Sequence, residues 1–465
     1  MKDDVVKYGM ALIGKLPRGI MPFWGFFSSV LLYPYAEKLL GREIRGKYRE
    51  LKREARLPFF TRKREARERL ISMLEFAGRT VPYYRDLFRD QKFVPAKIRN
   101  DERFLSDLPF LTKDILREQG RRLVSEQYLD RIDREQKTGS STGPAVTIYY
   151  DAISLDWTAA QNILMLEWGG KRRYDREAHL STRFPETCRP RYPEFEAKKC
   201  FVLNRYNIYT GGFDDGSQEE LLADLRAARA RLVQGHPSSM HALARYLKSQ
   251  GRRAERLFDI FISTGEMMTN TQRFLIEETL GVSVSNRYGA CEFGVMAQEL
   301  AGGARGEMLV SDSLVWPECD FNAGEEEVGE LVFTGLRNPC MPLVRYRMGD
   351  AGAMCERNDG WWITNIVGRT HDVVEIAGVM YPTHYIQDML DRCGAISDFQ
   401  ILARGGKAIE LRIVADEQDW PGIAANVANR LPEIPARRID AQDLVFVGVR
   451  GKFSYVLREA QDADR

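Results

Sequence analysis

The chain has 465 residues, of which 44% are hydrophobic and 29% charged, a composition typical of well-cored soluble proteins and a length sufficient for about two to four domains. Its 68 Lys and Arg residues nearly balance 66 Asp and Glu residues, so its charge gives no indication of a nucleic-acid partner. The seven cysteines show no C-x-x-C spacing, which argues against a disulfide framework and a zinc ribbon and indicates a reducing, cytoplasmic compartment.

The first 60 residues form a basic and apolar segment. Residues 1–56 contain 12 Lys and Arg against 6 Asp and Glu, and residues 19–36 contain six aromatic side chains and no charge. Because a membrane span takes roughly 20 apolar residues, this stretch is marginal for one. Two interpretations stay open: peripheral contact with a membrane surface through residues 19–36, or a helix packed on the following domain. Asp3 and Asp4 stand where a signal peptide would be basic, so we expect no secretion signal.

A helix is predicted after residue 60 and ends before Pro82. Its apolar positions are spaced as one buried face: Leu70, Ile71, Met73, Leu74 and Phe76. Thr112, directly before Lys113, is typical of the N-cap of a further helix.

Residues 137–144, Lys-Thr-Gly-Ser-Ser-Thr-Gly-Pro, form a loop rich in hydroxyl groups and glycine, and a strand pattern follows at residues 146–150. Hydroxyls and backbone N–H groups of such a loop can bind phosphate oxygens, which makes Ser140, Ser141, Thr142 and Gly143 candidate nucleotide ligands. The loop lacks the Gly-Lys-Ser/Thr ending of a Walker loop. By itself the composition is more typical of a linker.

Helix and strand patterns alternate between residues 156 and 294, which predicts an α/β domain. Residues 219–232 have the pattern of an amphipathic helix, and residues 235–238 open another. Two compact strands, at residues 258–263 and 282–286, end in polar motifs. Because ligands gather at the carboxyl ends of parallel strands, the candidate site residues are Gly265, Glu266, Tyr288, Gly289 and Glu292.

A charged corner follows a short strand predicted at residues 344–347. Gly349 indicates a turn, so the strand end would present Asp350 to a ligand. A carboxylate in that place can accept both hydroxyls of a ribose. The alternative is an ordinary surface turn.

The pattern changes after Arg369, which indicates a hinge at residues 369–372 and a small α+β domain beyond it. The predicted order is strand, helix, strand, strand, helix and strand, at residues 373–376, 385–393, 399–403, 409–414, 422–431 and 444–447. Lys452 follows Gly451 in the last strand region. Residues 404–407, Arg-Gly-Gly-Lys, have the pattern of a hairpin turn.

Eight short motifs occur in the order found in adenylate-forming enzymes. They are Val81-Pro82-Tyr83-Tyr84, Leu111-Thr112-Lys113, Ser141-Thr142-Gly143, Gly265-Glu266, Tyr288-Gly289 with Glu292, Arg345-Tyr346 with Gly349-Asp350, Gly368-Arg369, and Gly451-Lys452. Over residues 60–458 the chain therefore resembles the ANL superfamily, and within it the branch of phenylacetate–CoA ligases and CapK-like proteins. The resemblance implies an α/β fold with a large layered adenylation domain at 61–367 and a mobile α+β C-terminal lid at 368–465. Residues 1–60 would pack on the large domain or on a membrane surface.

The resemblance also implies roles. The loop at 140–143 would hold the β- and γ-phosphates of ATP, Glu292 would place Mg²⁺, and Lys452 on the lid would bridge the α-phosphate and the acyl oxygen. The remaining nucleotide contacts implied are an adenine wall of Gly265, Glu266, Tyr288 and Gly289 and a ribose pair of Asp350 and Arg369.

The sequence departs from the family pattern at several positions. Ser140 stands where the loop often has Gly, no Lys follows Pro144, and His371 stands at the hinge where Asp or Lys is usual. Relatives near phenylacetate–CoA ligase often carry a zinc site after the Glu motif. Residues 298–300 and 306–308 contain no Cys or His, so we predict no zinc. Residues 204–212 are polar for an aryl-acid pocket, which weighs against phenylacetate itself.

The sequence thus predicts a cytoplasmic AMP-forming ligase that activates a small carboxylic acid with ATP and Mg²⁺ and transfers the acyl group to CoA. In one alternative the acceptor is an amine in surface-polysaccharide synthesis. In another the chain is a degenerate, non-catalytic scaffold, against which the presence of Glu292, Asp350 and Lys452 argues. The identity of the acid and the oligomeric state do not follow from the sequence.

Overall fold

The computed structural model describes most of the chain. The described residues are 21–137, 146–182, 199–210, 215–252, 257–321, 328–369, 373–382, 386, 389–390, 392–447 and 452–458. Within them the α-helices are α1 (Met21–Phe27), α2 (Tyr33–Leu39), α3 (Ile44–Glu54), α4 (Phe59–Thr80), α5 (Pro82–Asp90), α6 (Lys113–Gln119), α7 (Ala152–Trp168), α8 (Asp215–Ala228), α9 (Pro237–Ser249), α10 (Asn270–Leu280) and α11 (Trp420–Arg430). A π-helix, Ser28–Leu32, joins α1 to α2, and 3₁₀ helices lie at Pro95–Arg99, Glu102–Asp107, Gly120–Leu123, Glu126–Arg131 and Ala441–Asp443.

The strands of the described residues are β1 (Arg134–Lys137), β2 (Thr147–Tyr150), β3 (Glu177–Thr182), β4 (Arg205–Thr210), β5 (Leu232–Gly235), β6 (Ile260–Ser263), β7 (Ser283–Ala290), β8 (Gly294–Glu299), β9 (Met308–Val310), β10 (Val315–Phe321), β11 (Gly329–Gly335), β12 (Tyr346–Arg357), β13 (Gly360–Arg369), β14 (Val373–Ile376), β15 (Val379–Pro382), β16 (Ile396–Arg404), β17 (Lys407–Ala415), β18 (Ala436–Ile439), β19 (Phe446–Val447), β20 (Lys452–Phe453) and β21 (Val456–Arg458).

One large sheet organises the first domain. Its described strands have the order β10-β11-β12-β13-β9-β8-β7-β6-β5-β3-β4. From β10 to β7 all neighbours are antiparallel, and from β7 to β4 all are parallel. We call these the antiparallel half and the parallel half. The two halves share β7, so the carboxyl ends of the parallel strands open beside the hairpin that begins the antiparallel half.

Helices cover the sheet and complete its cores. Strands β5 and β6 are buried along their whole length, as expected for parallel strands covered on both faces. Leu225 of α8 and Leu243 of α9 pack in one cluster with Phe261 of β6. A second cluster joins Leu70 of α4 to Tyr346 of β12. The large domain therefore has the layered α/β architecture that the sequence predicts.

The N-terminal segment packs on the large domain through one face. The backbone N–H of Glu43 donates to Asp156 Oδ2 on α7 over 2.8 Å. The hydroxyl of Ser28 donates to the carbonyl of Val202 over 2.6 Å. The packed-helix interpretation therefore describes this face of the segment, while other side chains of residues 23–40 are exposed.

The C-terminal lid is a small α+β unit. Its sheet has the described order β15-β14-β17-β16-β21, with β18 beside β17, and α11 packs on it. The two-residue loop between β16 and β17 is Gly405-Gly406, with φ of 57° and 85°, and Arg404 pairs with Lys407. The predicted hairpin is confirmed. Its turn needs two consecutive residues with positive φ, a conformation that glycine adopts without strain.

Other predicted elements are confirmed or need correction. Thr112 is the N-cap of α6 and accepts a hydrogen bond from the N–H of Ile115 over 3.3 Å. The helix predicted at 219–232 is wrong at its end: α8 stops at Ala228, because Arg229 has a φ of 47°, and Leu232 already begins β5. The strand predicted at 282–286 is too short, because pairing with β8 extends it to residue 290. Within the helix predicted at 385–393, residues 386, 389 and 390 are helical, while residues 385, 387, 388 and 391 lie outside the described residues.

Candidate functional site

Two tyrosine–carboxylate hydrogen bonds form the centre of the site. The hydroxyl of Tyr288, on β7, donates to Asp350 Oδ2 on β12 over 2.8 Å. The hydroxyl of Tyr346, also on β12, donates to Glu292 Oε1 over 3.1 Å. Glu292 lies in the turn between β7 and β8 and is 6% exposed. The structure thus brings together three residues that the sequence analysis selected, Tyr288, Glu292 and Asp350.

The strand predicted at residues 344–347 is wrong. Arg345 has a φ of 49°, and β12 begins only at Tyr346 and continues to Arg357. Gly349, with a φ of 77°, does not end the strand but lies in a bulge, where the pairing with β11 skips residues 348–350. Asp350 is therefore held inside a strand, at a bulge that re-aims its side chain toward Tyr288.

Gly289 permits the tight hairpin that positions Glu292. A Cβ at this position would lie 2.8 Å from the carbonyl oxygen of Gly294, across the hairpin. The hairpin is further tied to β2, because the Tyr150 hydroxyl donates to the carbonyl of Cys291 over 2.6 Å. Strand β2 directly follows the hydroxyl-rich loop, whose candidate ligands Ser140, Ser141, Thr142 and Gly143 lie outside the described residues.

Gly265 and Glu266, which follow β6 and are predicted to wall the adenine, contact the start of α9. Glu266 accepts a hydrogen bond from the N–H of Ser238 over 3.4 Å, and its Oε1 lies 3.5 Å from His236 Nδ1. A carboxylate at a helix N-terminus is stabilised by the helix dipole. Gly265 has a φ of 86°, and a Cβ there would lie 3.0 Å from the His236 ring. These residues line the carboxyl ends of β5 and β6.

The strand pairings locate two further predicted residues, Arg369 and Lys452. Arg369 is the β13 partner of Asp350 in the β12–β13 ladder. Lys452 lies on β20, opposite Val447 of β19. Both strands of this ribbon are tied to β16 of the lid at the same end, since Gln400 Nε2 donates to the carbonyls of Val445 and Ser454 over 2.7 and 3.0 Å.

The lid contacts α9 of the large domain through a buried aspartate. Asp398 Oδ2, on β16, lies 3.9 Å from His241 Nδ1, and both side chains are buried. Burial raises the pKa of Asp398 to about 7, against the attraction of Arg245. Burial also lowers the pKa of His241 to about 3, so this histidine is neutral at physiological pH.

Sequence reasoning missed several residues of the site. Tyr346 was part of a motif but had no assigned role. The buried Arg287, next to Tyr288, was not selected, and its partners Asn162 and Gln234 come from α7 and β5. The available signal was a charged residue directly before the motif residues Tyr288 and Gly289.

Among the described residues, no cluster of three His, Cys, Asp or Glu side chains is arranged to hold a metal ion by itself. In the same part of the chain, no helix has the length and apolar character to cross a membrane.

No model of a protein family matches this chain. Curated relatives are phenylacetate–coenzyme A ligases and CapK, which confirms the resemblance stated from the sequence. The ligase of Thermus thermophilus is 25% identical over 368 residues, covering 72% of this chain and 77% of the relative. The ligase of Pseudomonas putida is 26% identical over 350 residues, covering 70% and 74%. Protein CapK of Staphylococcus aureus is 21% identical over 289 residues, covering 61% of each.

Solved structures confirm the fold class. 2-Hydroxyisobutyryl-CoA ligase in the postadenylation state, in complex with R3-HIB-AMP, has a TM-score of 0.67 at 18% identity and covers 88% of this chain and 92% of that one. The same ligase in the thioesterification state, with 2-HIB-AMP and CoA, has a TM-score of 0.58. The chain therefore has the fold of an acyl-CoA ligase.

Proposed function

We propose that this protein is an AMP-forming ligase that activates a carboxylic acid with ATP as an acyl-adenylate and transfers the acyl group to CoA. The observation that carries the proposal is the pair of hydrogen bonds from Tyr288 to Asp350 and from Tyr346 to Glu292, set at the carboxyl ends of the parallel strands in this fold. The curated ligase relatives and the adenylate complexes of the solved relative support it.

In the proposed site, Asp350 accepts the two ribose hydroxyls of ATP. Its carboxylate is oriented in advance by the Tyr288 hydroxyl, so little reorganisation is needed on binding. Tyr288, Gly265, Glu266 and Gly289 would surround the adenine. Arg369, opposite Asp350 in the ladder, would complete the ribose contact.

Glu292 suits Mg²⁺, because Mg²⁺ in nucleotide sites is held by one or two carboxylates together with substrate phosphates. Mg²⁺ bound there would neutralise charge on the phosphate oxygens. Burial, with Glu292 beside it, raises the pKa of Tyr346 well above its usual range. Tyr346 therefore stays protonated and keeps donating to the Glu292 carboxylate.

The last two parts of the proposal concern the loop and the lid. Ser140, Ser141, Thr142 and Gly143 would hold the β- and γ-phosphates. Lys452 would bring a positive charge to the α-phosphate and the acyl oxygen as the lid closes, where negative charge develops in the transition state.

Adenylate formation in Lys452→Ala tests this assignment. We expect a loss of roughly 10²–10³-fold, the scale of removing one preorganised donor, with ATP binding little changed. Lys407→Ala is the matched control, because Lys407 is the other described lysine of the lid and lies on an exposed hairpin. Wild-type adenylate formation in Lys452→Ala with a proven substrate would contradict the role of Lys452.

The acceptor is CoA in this proposal, with an amine in surface-polysaccharide synthesis as the alternative. Arg404 and Lys407, on the β16–β17 hairpin, and Arg450, which lies outside the described residues, are candidates for the CoA phosphates. The test supplies the acyl-adenylate with CoA or with an amino sugar. Thioester formation and faster AMP release with CoA support the proposal, while acylation of the amino sugar alone would establish the alternative.

We further propose that the N-terminal segment contacts a membrane surface from the cytoplasmic side. Its exposed apolar side chains recur every four residues: Phe23 (77% exposed), Phe27 (41%), Leu31 (55%), Tyr35 (69%) and Leu39 (72%). An α-helix has about 3.6 residues per turn and a π-helix has more. The π-helix between α1 and α2 therefore keeps side chains four apart on one face.

The charge of the segment favours anionic lipid. Its one acidic residue between positions 21 and 42, Glu37, is buried and paired with Arg45. Exposed Arg172 and Arg173 lie nearby, since Ser29 lies 3.5 Å from the carbonyl of Arg173. An apolar stripe bordered by basic side chains is the pattern of an interfacial helix.

Cosedimentation with vesicles tests the membrane contact. The double variant Phe23→Ser and Tyr35→Ser should lose binding to vesicles with anionic lipid by roughly tenfold or more, because two large apolar side chains are removed. Phe60→Ser is the matched control, because Phe60 is 78% exposed but lies outside the stripe. Equal sedimentation of all variants would contradict the proposal.

A further inference from the structure

Arg287 is a buried guanidinium whose described hydrogen-bond partners are all neutral amides. It is 7% exposed. Its Nε donates to Gln298 Oε1 over 3.1 Å, and its Nη1 donates to Asn162 Oδ1 over 3.0 Å and to Gln234 Oε1 over 3.3 Å. Its Nη2 is buried and has no hydrogen-bond partner in the described part of the chain. A buried charge is ordinarily paired with an opposite charge, so this arrangement needs an explanation.

Glu177 does not supply the missing anion for Arg287. Glu177 is close enough to act on Arg287, but it accepts hydrogen bonds from Lys171 and from Arg205, the latter over 2.5 Å. Burial lowers the pKa of Arg287 to about 10, against the attraction of Glu177. Arg287 is therefore still protonated at neutral pH, and its positive charge lies within the fold without a carboxylate of its own.

The position of Arg287 points to the acid substrate. In the register of the parallel half, Gly235, Ser263 and Asn286 lie side by side, so Arg287 is the first residue beyond the carboxyl end of β6. His236 and Thr264 follow the same row and are partly exposed. Ligands of such sheets bind in the crevice at these ends. Arg287 also directly precedes Tyr288, the partner of Asp350 in the nucleotide site.

We propose that the acid activated by this protein carries a second anionic group, such as a distal carboxylate, and that this group binds Arg287 through Nη2. The inference rests on the proposed function, since it names the class of acid for that site. Binding would break no protein hydrogen bond, because Nη2 has none to lose. Arg287 is then a specificity residue, one that selects between acids without taking part in the transfer itself.

A second buried arginine provides the matched control. Arg176 is also 7% exposed, its Nε and Nη1 are also without partners in the described residues, and burial lowers its pKa to about 10 as well. It directly precedes β3, at the amino end of the parallel strands, where no ligand is expected. Arg176→Met and Arg287→Met therefore remove similar side chains from opposite ends of the same strands.

The experiment measures ATP–pyrophosphate exchange with paired acids, each tested as the plain monocarboxylic acid and with a distal carboxylate or a distal phosphate. The wild-type kcat/KM should favour one of the dianionic forms by at least about 10²-fold, because a site built for a polar group rejects analogues that lack it. Arg287→Met should lower kcat/KM for that form by about 10²-fold and for its monoanionic partner far less. Arg176→Met should leave the ratio between the two unchanged.

Asn162→Asp is a second test that keeps the guanidinium in place. The new carboxylate would lie beside Nη1 of Arg287 and neutralise the charge of the guanidinium. The distal anion of the substrate would then gain little from Arg287, so the preference for the dianionic form should fall as in Arg287→Met. A wild-type preference for monocarboxylic acids, or an equal loss for both forms in Arg287→Met, would overturn the inference while leaving the proposed function intact. Exchange with none of the acids would overturn the proposed function and the inference with it.

Discussion

The two ends of the parallel half each contribute a buried charged side chain, in different electrostatic settings. At the amino end, Glu177 is 1% exposed and is bound by two cations, Lys171 and Arg205. Burial opposes its ionisation, but Arg205 and Lys171 outweigh burial and hold the pKa of Glu177 well below its usual range. At the carboxyl end, Arg287 has only neutral partners. A buried ion cluster with internal partners of opposite charge stabilises the fold, whereas the buried charge of Arg287 lacks such a partner, which is the basis of the substrate proposal.

The amino end should respond to substitution through stability. Glu177→Gln leaves Lys171 and Arg205 facing each other without their carboxylate, so the free energy of unfolding should fall by about 3–5 kcal/mol. Turnover per folded molecule should not change. Glu219→Gln, which weakens an exposed pair with Arg252, is the control and should leave the stability nearly unchanged, because solvent screens exposed pairs. A loss of activity with unchanged stability in Glu177→Gln would erase the distinction between the two ends.

The carboxyl end should respond through activity. Glu292→Gln keeps the shape of the side chain and its contact with Tyr346 but removes the charge that suits Mg²⁺. We expect roughly 10²-fold slower adenylation with every acid and a higher Mg²⁺ requirement, with the denaturation midpoint unchanged. Tyr346→Phe, which removes only the orienting donor, should have a smaller effect. Equal adenylation rates and Mg²⁺ requirements in Glu292→Gln and the wild type would remove Glu292 from the site.

A smaller effect is expected where one hydrogen bond orients the ribose carboxylate. Tyr288→Phe removes the donor to Asp350, and a hydrogen bond to a charged group contributes about 1.5–3 kcal/mol. The apparent affinity for ATP should therefore fall by roughly tenfold, while the KM for the acid stays the same. A change in the KM for the acid alone would place Tyr288 in the acid pocket instead.

The lid contact should add a pH dependence that neither end of the sheet explains. An aspartate whose pKa is raised by burial stabilises the contact fully below its ordinary pKa near 4, and this stabilisation is lost as the pH rises through about 7. The equilibrium constant for forming the contact should therefore fall about tenfold from pH 6 to pH 8. A fluorescence distance between the lid and the large domain measures this change. Asp398→Asn should abolish this change. The same change in Asp398→Asn would assign it to another group.

The sequence was sufficient for features that depend on neighbouring residues. The strand after residue 257, the N-cap Thr112 and the Gly-Gly hairpin all follow from local patterns. Thr112 and the hairpin are confirmed, and the strand predicted at 258–263 is observed at Ile260–Ser263. The motif residues Tyr288, Glu292 and Asp350 were found because short motifs at strand ends are visible along the chain. Their roles in catalysis stay predictions.

Features that depend on strand order could not be predicted. Tyr346 reaches Glu292 from 54 positions away, and Asn162 reaches Arg287 from 125 positions away. These contacts exist because β12 and β7 belong to one sheet and α7 covers that sheet. No local sequence pattern specifies this arrangement of elements. The bulge at Gly349 was mistaken for a turn for the same reason, since a glycine with positive φ fits both and only the pairing with β11 separates them.

The most direct test of the central claim is ATP–pyrophosphate exchange by the wild-type protein across a library of carboxylic acids. If the protein forms acyl-adenylates, exchange should require both Mg²⁺ and an acid, and a small group of related acids should support it far better than the rest. Exchange that is absent with every acid, from a protein shown to be folded and to bind ATP, would contradict the account.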